Sequence, residues 1–418
     1  MMAALPSFRF GTPHAIALFG AVALPLPFFF PQDFTLSMLS SMGIAIILAL
    51  SYNMLYGQAG VLSFGHAVYS GLGAYCAIHM LAAINAGFPF PVGMLPLVGG
   101  LAGLVFGVLF GYLSTRRAGT PFAMITLGLS ELVSTCAYMM PGLFGGELGI
   151  SANRTRGGLD WGIEYGTQAQ VYHLIAAWML ASMAAMYAFT RTPLGQIANA
   201  LRDNAERLRF IGYNAHLVRF QVQLISSFFA GIAGALSAIN YEIVTIDSMG
   251  LHASGMMMLM TVIGGAGSFF GPVFGAIIVT FLQTAVGAYT QAWPFYFGLL
   301  FLVVIYCVPE GLSSLVAMHR PVWRMPLLLR LLPSYGLACA AGLTMLAGIV
   351  AAVEAIYRWS DHATANTLVL FGASFSPASA ATWIFSTTAT GVGALLLLAS
   401  FPRAQAAWKN ALAQRDPT

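Results

Sequence analysis

The sequence predicts an all-α fold: a polytopic transmembrane helical bundle that contains broken or re-entrant glycine-rich segments. Hydrophobic residues make up 59% of the chain, charged residues only 7%, and the mean hydropathy is +0.81. A soluble domain carries roughly 25% charged residues. The apolar runs are long and continuous, unlike the short alternating segments of a transmembrane barrel, so the spans are expected to be helices.

Twelve apolar segments are predicted to span the membrane. They are 14–30, 36–54, 62–84, 93–114, 120–141, 170–189, 217–241, 252–266, 271–291, 295–315, 335–355 and 381–401. Segment 252–266 is short for a hydrocarbon core of roughly 30 Å, which predicts a half-helix or a re-entrant piece. The first segment resembles a signal peptide, but its apolar character continues to Phe30, so we expect a retained span.

The distribution of basic residues predicts the orientation. With the N-terminus inside, the inner segments hold Arg9, Arg116, Arg117 and most other arginines, whereas the outer segments keep only Arg154, Arg156 and Arg358. An excess of lysine and arginine on one side orients helices during insertion. The positive charge therefore reports topology, and we expect no binding of nucleic acid.

The most highly charged stretch is the loop from Arg191 to Arg219, which holds seven charged side chains. Thr192 suits a helix N-cap and Pro193 the first helical position. The apolar residues Leu194, Ile197, Leu201, Ala205 and Leu208 then recur at helical spacing, and Gly212 and Asn214 suit a helix end. This pattern predicts one short amphipathic helix outside the bilayer. Periodicity alone leaves two alternatives open, a solvated loop on the membrane surface and a docking site for a partner.

Two glycine-rich interruptions lie between predicted spans. The first is SYNMLYGQAGVLSFGHAVYSGLGAY, residues 51–75, and the second is GGAGSFFGPVFGA, residues 264–276. Broken backbone at membrane depth is tolerated only against protein or a wet cavity, so the pair is a candidate lining of a transport path. The ordinary alternative is close helix packing by small residues. The candidate path residues are Asn53, Gln58, Ser63, His66, Tyr69, Gly264, Gly265, Gly267 and Gly271.

Glu131 lies within segment 120–141, where a carboxylate is costly unless it is paired or solvated. It is either a further path residue or a hydrogen-bonded partner that fixes helix packing. In the loop 142–169, Arg154 and Arg156 are available to an external partner or to Asp160 and Glu164 of the same loop. The cysteines and histidines form no spaced cluster, so we expect no metal site, no disulfide and no catalytic constellation.

Several blocks in register resemble the permease subunits of branched-chain amino-acid-type ABC importers, more closely their M-type subunit. The blocks are YGQAGVLSFGHAVYSGLGAY (56–75), TPFAMITLGLSEL (120–132), TPLGQIANALRDNAERLRFIGYN (192–214), FFAGIAGALSA (228–238) and GGAGSFFGPVFGA (264–276). This resemblance implies a multi-pass protein of the bacterial inner membrane. It also implies three kinds of partner: a second permease subunit, cytoplasmic ATPase subunits and a periplasmic substrate-binding protein.

The resemblance assigns the charged loop to ATPase docking. Importer permeases carry there a glutamate, two alanines and, three residues later, a glycine. Glu206 and Gly212 match that spacing, whereas Arg207 and Leu208 replace the alanines. The docking residues implied are Arg202, Asp203, Glu206, Arg207, Arg209 and Gly212. The one lysine, Lys409, follows Trp408, so the chain has no Gly-Lys-Ser/Thr loop and needs no cofactor beyond ATP used by a partner subunit.

The resemblance covers about residues 30–315, which predicts a permease domain at 1–320 with about ten spans. Residues 321–418 are then an extension with two further spans, joined by a linker that Pro321, Pro326 and Pro333 mark. An ion-coupled secondary transporter is the alternative function, but it usually needs several buried charges, and only Glu131 is clear. A membrane-embedded enzyme is disfavoured because no catalytic set is recognisable. The substrate expected from the resemblance is a branched-chain or related amino acid.

Overall fold

A computed structural model of the protein describes residues 12–155, 164–319, 325–360, 368–370, 373–375 and 379–413. Predictions that concern Arg9, Arg156, Asp160 and Pro321 lie outside these residues. The chain forms two compact units, one from residues 1–288 and 299–314 and the other from residues 289–298 and 315–418. Their helices and strands are described in turn.

The first unit consists mainly of helices. They are α1 (Thr12–Ala23), α2 (Leu26–Phe29), α3 (Asp33–Asn53), α4 (His66–Asn85), α5 (Leu95–Ser114), α6 (Thr120–Met139), α7 (Pro141–Phe144), α8 (Gln168–Arg191), α9 (Pro193–Asp203), α10 (Ala205–Phe210), α11 (Ala215–Tyr241), α12 (Leu251–Gly264) and α13 (Gly271–Phe281). Two π-helical segments, Met54–Gln58 and Leu282–Val286, extend α3 and α13. Short 3-10 turns lie at Val92–Met94, Gly146–Leu148 and Ile246–Met249. The strands β1 (Ile150–Ser151) and β2 (Ile243–Val244) pair antiparallel.

Helix α14 (Trp293–Cys307) contributes residues to both units, and α15 (Leu312–His319) begins in the first and continues into the second. The second unit holds α16 (Met325–Ser360), β3 (Leu368–Leu370), β4 (Ala373–Phe375) and α17 (Ala380–Ala413). The two strands form an antiparallel pair. Helices α16 and α17 approach closely at Gly348, which meets Thr390, and at Gly393, which meets Met345. Small residues permit such contacts between helices in a membrane.

The predicted all-α membrane bundle is confirmed. In the described part of the chain, eight helices are long and apolar enough to cross a membrane, and four shorter apolar helices occupy the remaining predicted segments. Helix α12 has 14 residues, which corresponds to a length of about 21 Å. It is therefore shorter than a hydrocarbon core of roughly 30 Å, as the sequence predicts.

The predicted linker at 321–333 is wrong from Met325 onward, because α16 begins there and continues to Ser360. Pro326 is the second residue of this helix, where no backbone N–H is needed. Pro333 lies inside the helix and removes one hydrogen bond from its ladder. Interpreting these prolines as a linker therefore places the start of the helix too late in the chain.

The interior of the first unit is built around α11, which packs against α3, α4 and α5. A row of glycines on α5 faces it, since side chains added at Gly99 and Gly103 would meet the backbone of α11 at Gly231 and Ser227. Gly234 in turn meets the carbonyl of Ser70 on α4. Glycine removes the volume that would hold these backbones apart, and so it permits the close packing.

We predict that Gly231→Ala lowers the free energy of unfolding by about 1–3 kcal/mol, because its new Cβ would meet the backbone of Gly99. Gly128→Ala is the matched control, since Gly128 lies within a spanning helix and has open space around it. The control is expected to be neutral or slightly stabilising. Thermal unfolding of the purified variants measures both effects, and equal melting temperatures would contradict the packing argument.

Candidate transport site

The charged loop folds as two helices, α9 and α10, where the sequence predicts one. The Thr192 side chain accepts a hydrogen bond from the Gly195 N–H at 3.2 Å, so the predicted N-cap is confirmed. The helix is interrupted at Asn204, whose extended backbone ends α9. The Asn204 side chain then caps α10 by accepting a hydrogen bond from the Arg207 N–H at 2.9 Å. An asparagine at this position competes with the helix for its own backbone groups, and this explains the break.

The end of the loop follows the expected chemistry at one residue and departs from it at another. Gly212 has φ of +96° and ends α10, while the Tyr213 N–H donates to the Leu208 carbonyl at 3.2 Å. This is a C-terminal glycine cap. Asn214 does not act as a stop residue; instead its side chain caps α11 by accepting from the His216 N–H at 3.0 Å. Leu201 and Leu208, members of the predicted apolar stripe, are buried.

Arg202 joins this loop to the first interruption. Its Nη1 atom donates a short hydrogen bond to the carbonyl oxygen of Gly57, the fourth residue of the first π-helical segment. A Cβ added to Gly60, which has φ of +67°, would lie 2.7 Å from Arg202 Cγ. The stem of Arg202 therefore lies directly on Gly60, while its head holds the end of the broken helix. Asp203 stays at the surface, 3.4 Å from Arg202 Nε.

The two predicted interruptions meet at Gly57. A Cβ added to this residue would lie 2.6 Å from the carbonyl oxygen of Ala266 and would collide with the side chain of Asn53. Ala266 belongs to the turn 265–270 that separates α12 from α13. Gly57 therefore connects three parts of the chain: the end of α3, the second interruption and the charged loop. We call the contact of Gly57 with Asn53, Ala266 and Arg202 the glycine junction.

A second contact links the charged loop to the second interruption. Arg191 Nη2 donates to the Tyr187 hydroxyl at 2.8 Å, and the guanidinium also lies 5.4 Å from the Tyr187 ring centre. The ring of Tyr187 meets that of Phe269 edge-on, with centroids 5.4 Å apart. The first interruption is thus contacted directly by Arg202 of α9, and the second is contacted by Tyr187, to which Arg191 beside α9 donates.

Polar residues of the first interruption gather around Tyr52, which donates to the Ser63 carbonyl at 3.1 Å. His66 is fully buried at the start of α4, and its Nε2 atom lies 3.0 Å from Ser51 Oγ. Its ring packs edge-on against Tyr52 and Tyr69, and its Nδ1 atom has no hydrogen-bond partner. Asn53 Oδ1, Gln58 Oε1 and Ser63 Oγ are likewise buried without a partner in the described part of the chain. Of the predicted polar path residues, Ser63, His66 and Tyr69 therefore lie together with Tyr52.

The glycines of the second interruption lie in two kinds of environment, one tightly packed against backbone and one open. Gly264 and Gly271 bring α12 and α13 into backbone contact, and Gly265, with φ of +104°, meets the backbone of Gly311. A side chain at any of these three would collide with backbone, which favours packing as their immediate role. Gly267 differs, because it is exposed and has open space around it.

Two carboxylates lie in apolar helices. Glu131 is exposed on α6 and therefore does not join the cluster around Tyr52. Glu354, which the sequence analysis did not single out, is buried on α16 and accepts a hydrogen bond from the Tyr296 hydroxyl at 3.0 Å. Glu354 was missed from the sequence because it lies near the end of a predicted span. Arg154 also differs from expectation, because it bonds the carbonyls of Ile239 and Asn240 and the carboxylate of Glu242 at the end of α11.

The outer face of α10 carries an apolar patch that charge counting missed. Phe210 is 91% exposed and Ile211 is 67% exposed. Glu206, Arg207 and Arg209, three of the predicted docking residues, precede them directly in the chain and are also exposed. The sequence signal that could have revealed this patch is that Phe210 and Ile211 are large apolar residues outside the predicted apolar stripe of the loop. We call Phe210, Ile211 and these three charged residues the α10 surface.

We predict that Arg202→Gln increases hydrogen exchange of residues 54–60 roughly fivefold, because it removes a charge-assisted hydrogen bond worth about 1 kcal/mol at a partly exposed site. Arg207→Gln, the matched control, removes the same charge from an exposed position in the same loop. Mass spectrometry after deuterium labelling measures both. Equal exchange in the two variants would contradict the role of Arg202.

Comparison with known proteins places this geometry in a family. The family model for the permease component of branched-chain amino acid transport systems matches residues 34–309. The high-affinity branched-chain amino acid transport system permease protein LivM of Escherichia coli K12 is 27% identical over 299 residues, covering 66% of this chain and 69% of that protein. A probable LivM of Methanocaldococcus jannaschii is 24% identical, covering 65% of this chain and 90% of that protein.

The similarity extends to a second type of permease. The LivH permease of Escherichia coli K12 is 22% identical over 285 residues, covering 64% of this chain and 90% of that protein. No solved structure matches significantly. The match to the family model includes both interruptions, α9, α10 and the glycine junction. The chain belongs to the family of permease components of branched-chain amino acid transport systems.

Proposed function

We propose that this chain is a transmembrane permease subunit of an ABC importer that moves branched-chain or related amino acids across the bacterial inner membrane. A separate ATPase subunit supplies the energy. One observation carries the proposal: the exposed helices α9 and α10 are tied by Arg202 to the point where the two broken segments meet. The family and the names of its relatives support the transport of amino acids.

The α10 surface suits docking of an ATPase. Phe210 and Ile211 offer apolar anchors, and the charged residues that precede them offer orientation. Protein interfaces concentrate their binding energy in such central aromatic residues with a polar rim. Arg202 is engaged within the chain, so its expected role is transmission of movement, whereas Glu206, Arg207 and Arg209 are free to contact the ATPase.

Transmission follows from the contacts of the junction. A displacement of α9 moves the guanidinium of Arg202, and the carbonyl of Gly57 must follow or lose its donor. Gly57 in turn lies against Ala266, so both interruptions respond together. Close packing makes such contacts switch between discrete arrangements rather than deform gradually. The unpaired polar atoms of Asn53, Gln58 and Ser63 are then free to bond water or a passing solute.

The proposal includes three partners. They are a second permease subunit, paired cytoplasmic ATPase subunits and a periplasmic protein that delivers the substrate. Relatives named LivM and LivH support the pairing of two permeases. The sequence lacks a Gly-Lys-Ser/Thr nucleotide loop, which supports borrowing the ATPase.

We predict that Phe210→Ala weakens binding of the ATPase subunit about thirtyfold, because truncation of a central aromatic anchor costs about 2 kcal/mol. Phe88→Ala is the control, since Phe88 is also exposed but belongs to the loop after α4. Binding is measured by titrating the purified permease pair with the ATPase. Unchanged affinity for Phe210→Ala would remove the α10 surface from the docking interface.

We predict that Arg202→Gln leaves ATPase binding within about twofold of the original protein but lowers substrate uptake per ATP about tenfold, which corresponds to about 1.4 kcal/mol. Arg117→Gln, in the loop between α5 and α6, is the control and should change neither quantity. Reconstituted vesicles report uptake and hydrolysis together. Loss of ATPase binding in Arg202→Gln would show that Arg202 docks rather than transmits.

Glu131 and Glu354 favour the second candidate function, an ion-coupled secondary transporter, because carboxylates in apolar helices are frequent coupling groups. Glu354 already has a hydrogen-bond donor in Tyr296, and this satisfies part of its requirement. Uptake measured with an ionophore, with and without ATP, separates the two functions. Uptake that needs ATP and survives the ionophore fits the importer, and the reverse result fits the alternative.

A further inference from the structure

We infer that a cavity inside the first unit is a binding site for one zwitterionic amino acid with an apolar side chain. The inference rests on the proposed function and names a site within this chain. The cavity has a volume of about 600 Å³ and is lined mainly by α3, α4, α11, α12 and α13. Pockets for small molecules usually measure between about 300 and 1,000 Å³. None of the path residues predicted from the sequence lines it.

In the part of the chain that the structure describes, the lining contains no carboxylate, lysine or arginine side chain, which restricts the ligand class. A single net charge placed there would lack a counter-charge, and desolvating it would be costly. A zwitterion brings both charges and needs neutral donors and acceptors for each. Such groups are present as hydroxyls and amides from four helices, among them Ser41, Ser70, Ser237, Thr280 and Gln283.

The beginning of α12 supplies a place for the carboxylate. His252 and Ala253, in its first turn, both line the cavity. The N-cap residue is Gly250, and no side chain caps this end of the helix. The first backbone N–H groups of a helix have no intrahelical acceptor and carry partial positive charge, so they favour an anionic group. Asp247, the acid nearest in sequence, does not line the cavity.

A second, independent observation points to a ligand. Thr280 on α13 is 5% exposed, lines the cavity, and its Oγ1 atom has no hydrogen-bond partner among the described residues. A buried hydroxyl without a partner is costly, and a polar ligand would satisfy it. Next to it along the chain, Gln283 and Thr284 line the same cavity from the π-helical segment Leu282–Val286. Single π-helical turns occur frequently at functional sites.

Helix α12 also provides the apolar part of the site. Met256, Met257 and Met260 on α12 line the cavity together with Ile44 and Leu48 on α3. Methionine adapts its shape to different apolar groups, which suits a set of related aliphatic side chains. Tyr241, the last residue of α11, and Ile243 of β2 are lining residues that remain exposed, so the cavity opens there. In the predicted topology this end faces the side from which the substrate arrives.

The test uses the permease assembled with its second subunit in detergent, without ATPase, and leucine as the probe. Saturation-transfer NMR reports weak binding, and leucinamide, which lacks the carboxylate, is the comparison ligand. We expect leucine to bind, leucinamide to bind at least about tenfold more weakly, and Thr280→Val to weaken leucine binding about fivefold to tenfold. Ala253→Phe, which fills the cavity from α12, should abolish binding.

Leu259→Phe is the matched control, because it adds bulk to the same helix at a position that does not line the cavity. It should bind leucine like the original protein. Absence of leucine binding, or equal binding by Ala253→Phe and Leu259→Phe, overturns the inference. The complete transporter in vesicles separates this failure from that of the proposed function: ATP-driven leucine uptake that persists in Ala253→Phe rejects the site alone, whereas no uptake by the original complex rejects the function.

Discussion

The hydrogen bond from Arg202 to the carbonyl of Gly57 connects the water-exposed part of the chain to its broken interior. Gly57 belongs to a segment where regular helix gives way to π-helix and then to irregular backbone before α4 begins. Backbone groups in such a segment must find partners inside the protein, since lipid offers none. Arg202 supplies one of those partners from outside the apolar region, and Thr126 supplies another by accepting from the Phe64 N–H at 3.1 Å.

This constraint explains why glycine is concentrated where it is. Gly57, Gly264 and Gly271 each sit where a side chain would meet backbone of another segment. The contact of Gly57 with Ala266 brings together two interruptions that are far apart in the chain. In the proposed mechanism, this close packing leaves little room for independent movement, so a displacement of α9 moves both interruptions. Leu48 and Met260 line the cavity beside α12, and directly after them in the chain the Thr261 hydroxyl donates to the Ala49 carbonyl of α3 at 3.1 Å.

Composition and periodicity predicted the class of fold and every apolar segment, because membrane spans are set by length and apolar character. The cap at Thr192 and the glycine end at Gly212 were also predictable, since their chemistry is local. The break at Asn204 was not, because the apolar stripe runs through it without interruption. The helix over Pro333 was missed for a related reason: its packing against α17 outweighs the local cost of the proline.

The candidate site was only partly predictable. The sequence drew attention to Asn53, His66 and the second glycine-rich stretch, but it gave no sign that Gly57 touches Ala266. The partner of Arg202 was likewise beyond sequence reasoning, since hydrogen bonds between distant segments leave no local pattern. Glu354 was overlooked because it lies near the end of a predicted span. Phe210 was overlooked because the analysis of its loop considered mainly the charged residues.

The central claim is that Arg202 acts through the glycine junction, and a double-mutant cycle tests it most directly. Uptake per ATP is measured in reconstituted vesicles for Arg202→Gln, for Gly57→Ala and for the two changes together. If the two residues act through one contact, the double variant is no more impaired than the worse single variant. If the two losses instead multiply, Arg202 and Gly57 act independently, and the proposed link between the docking helices and the broken segments is wrong.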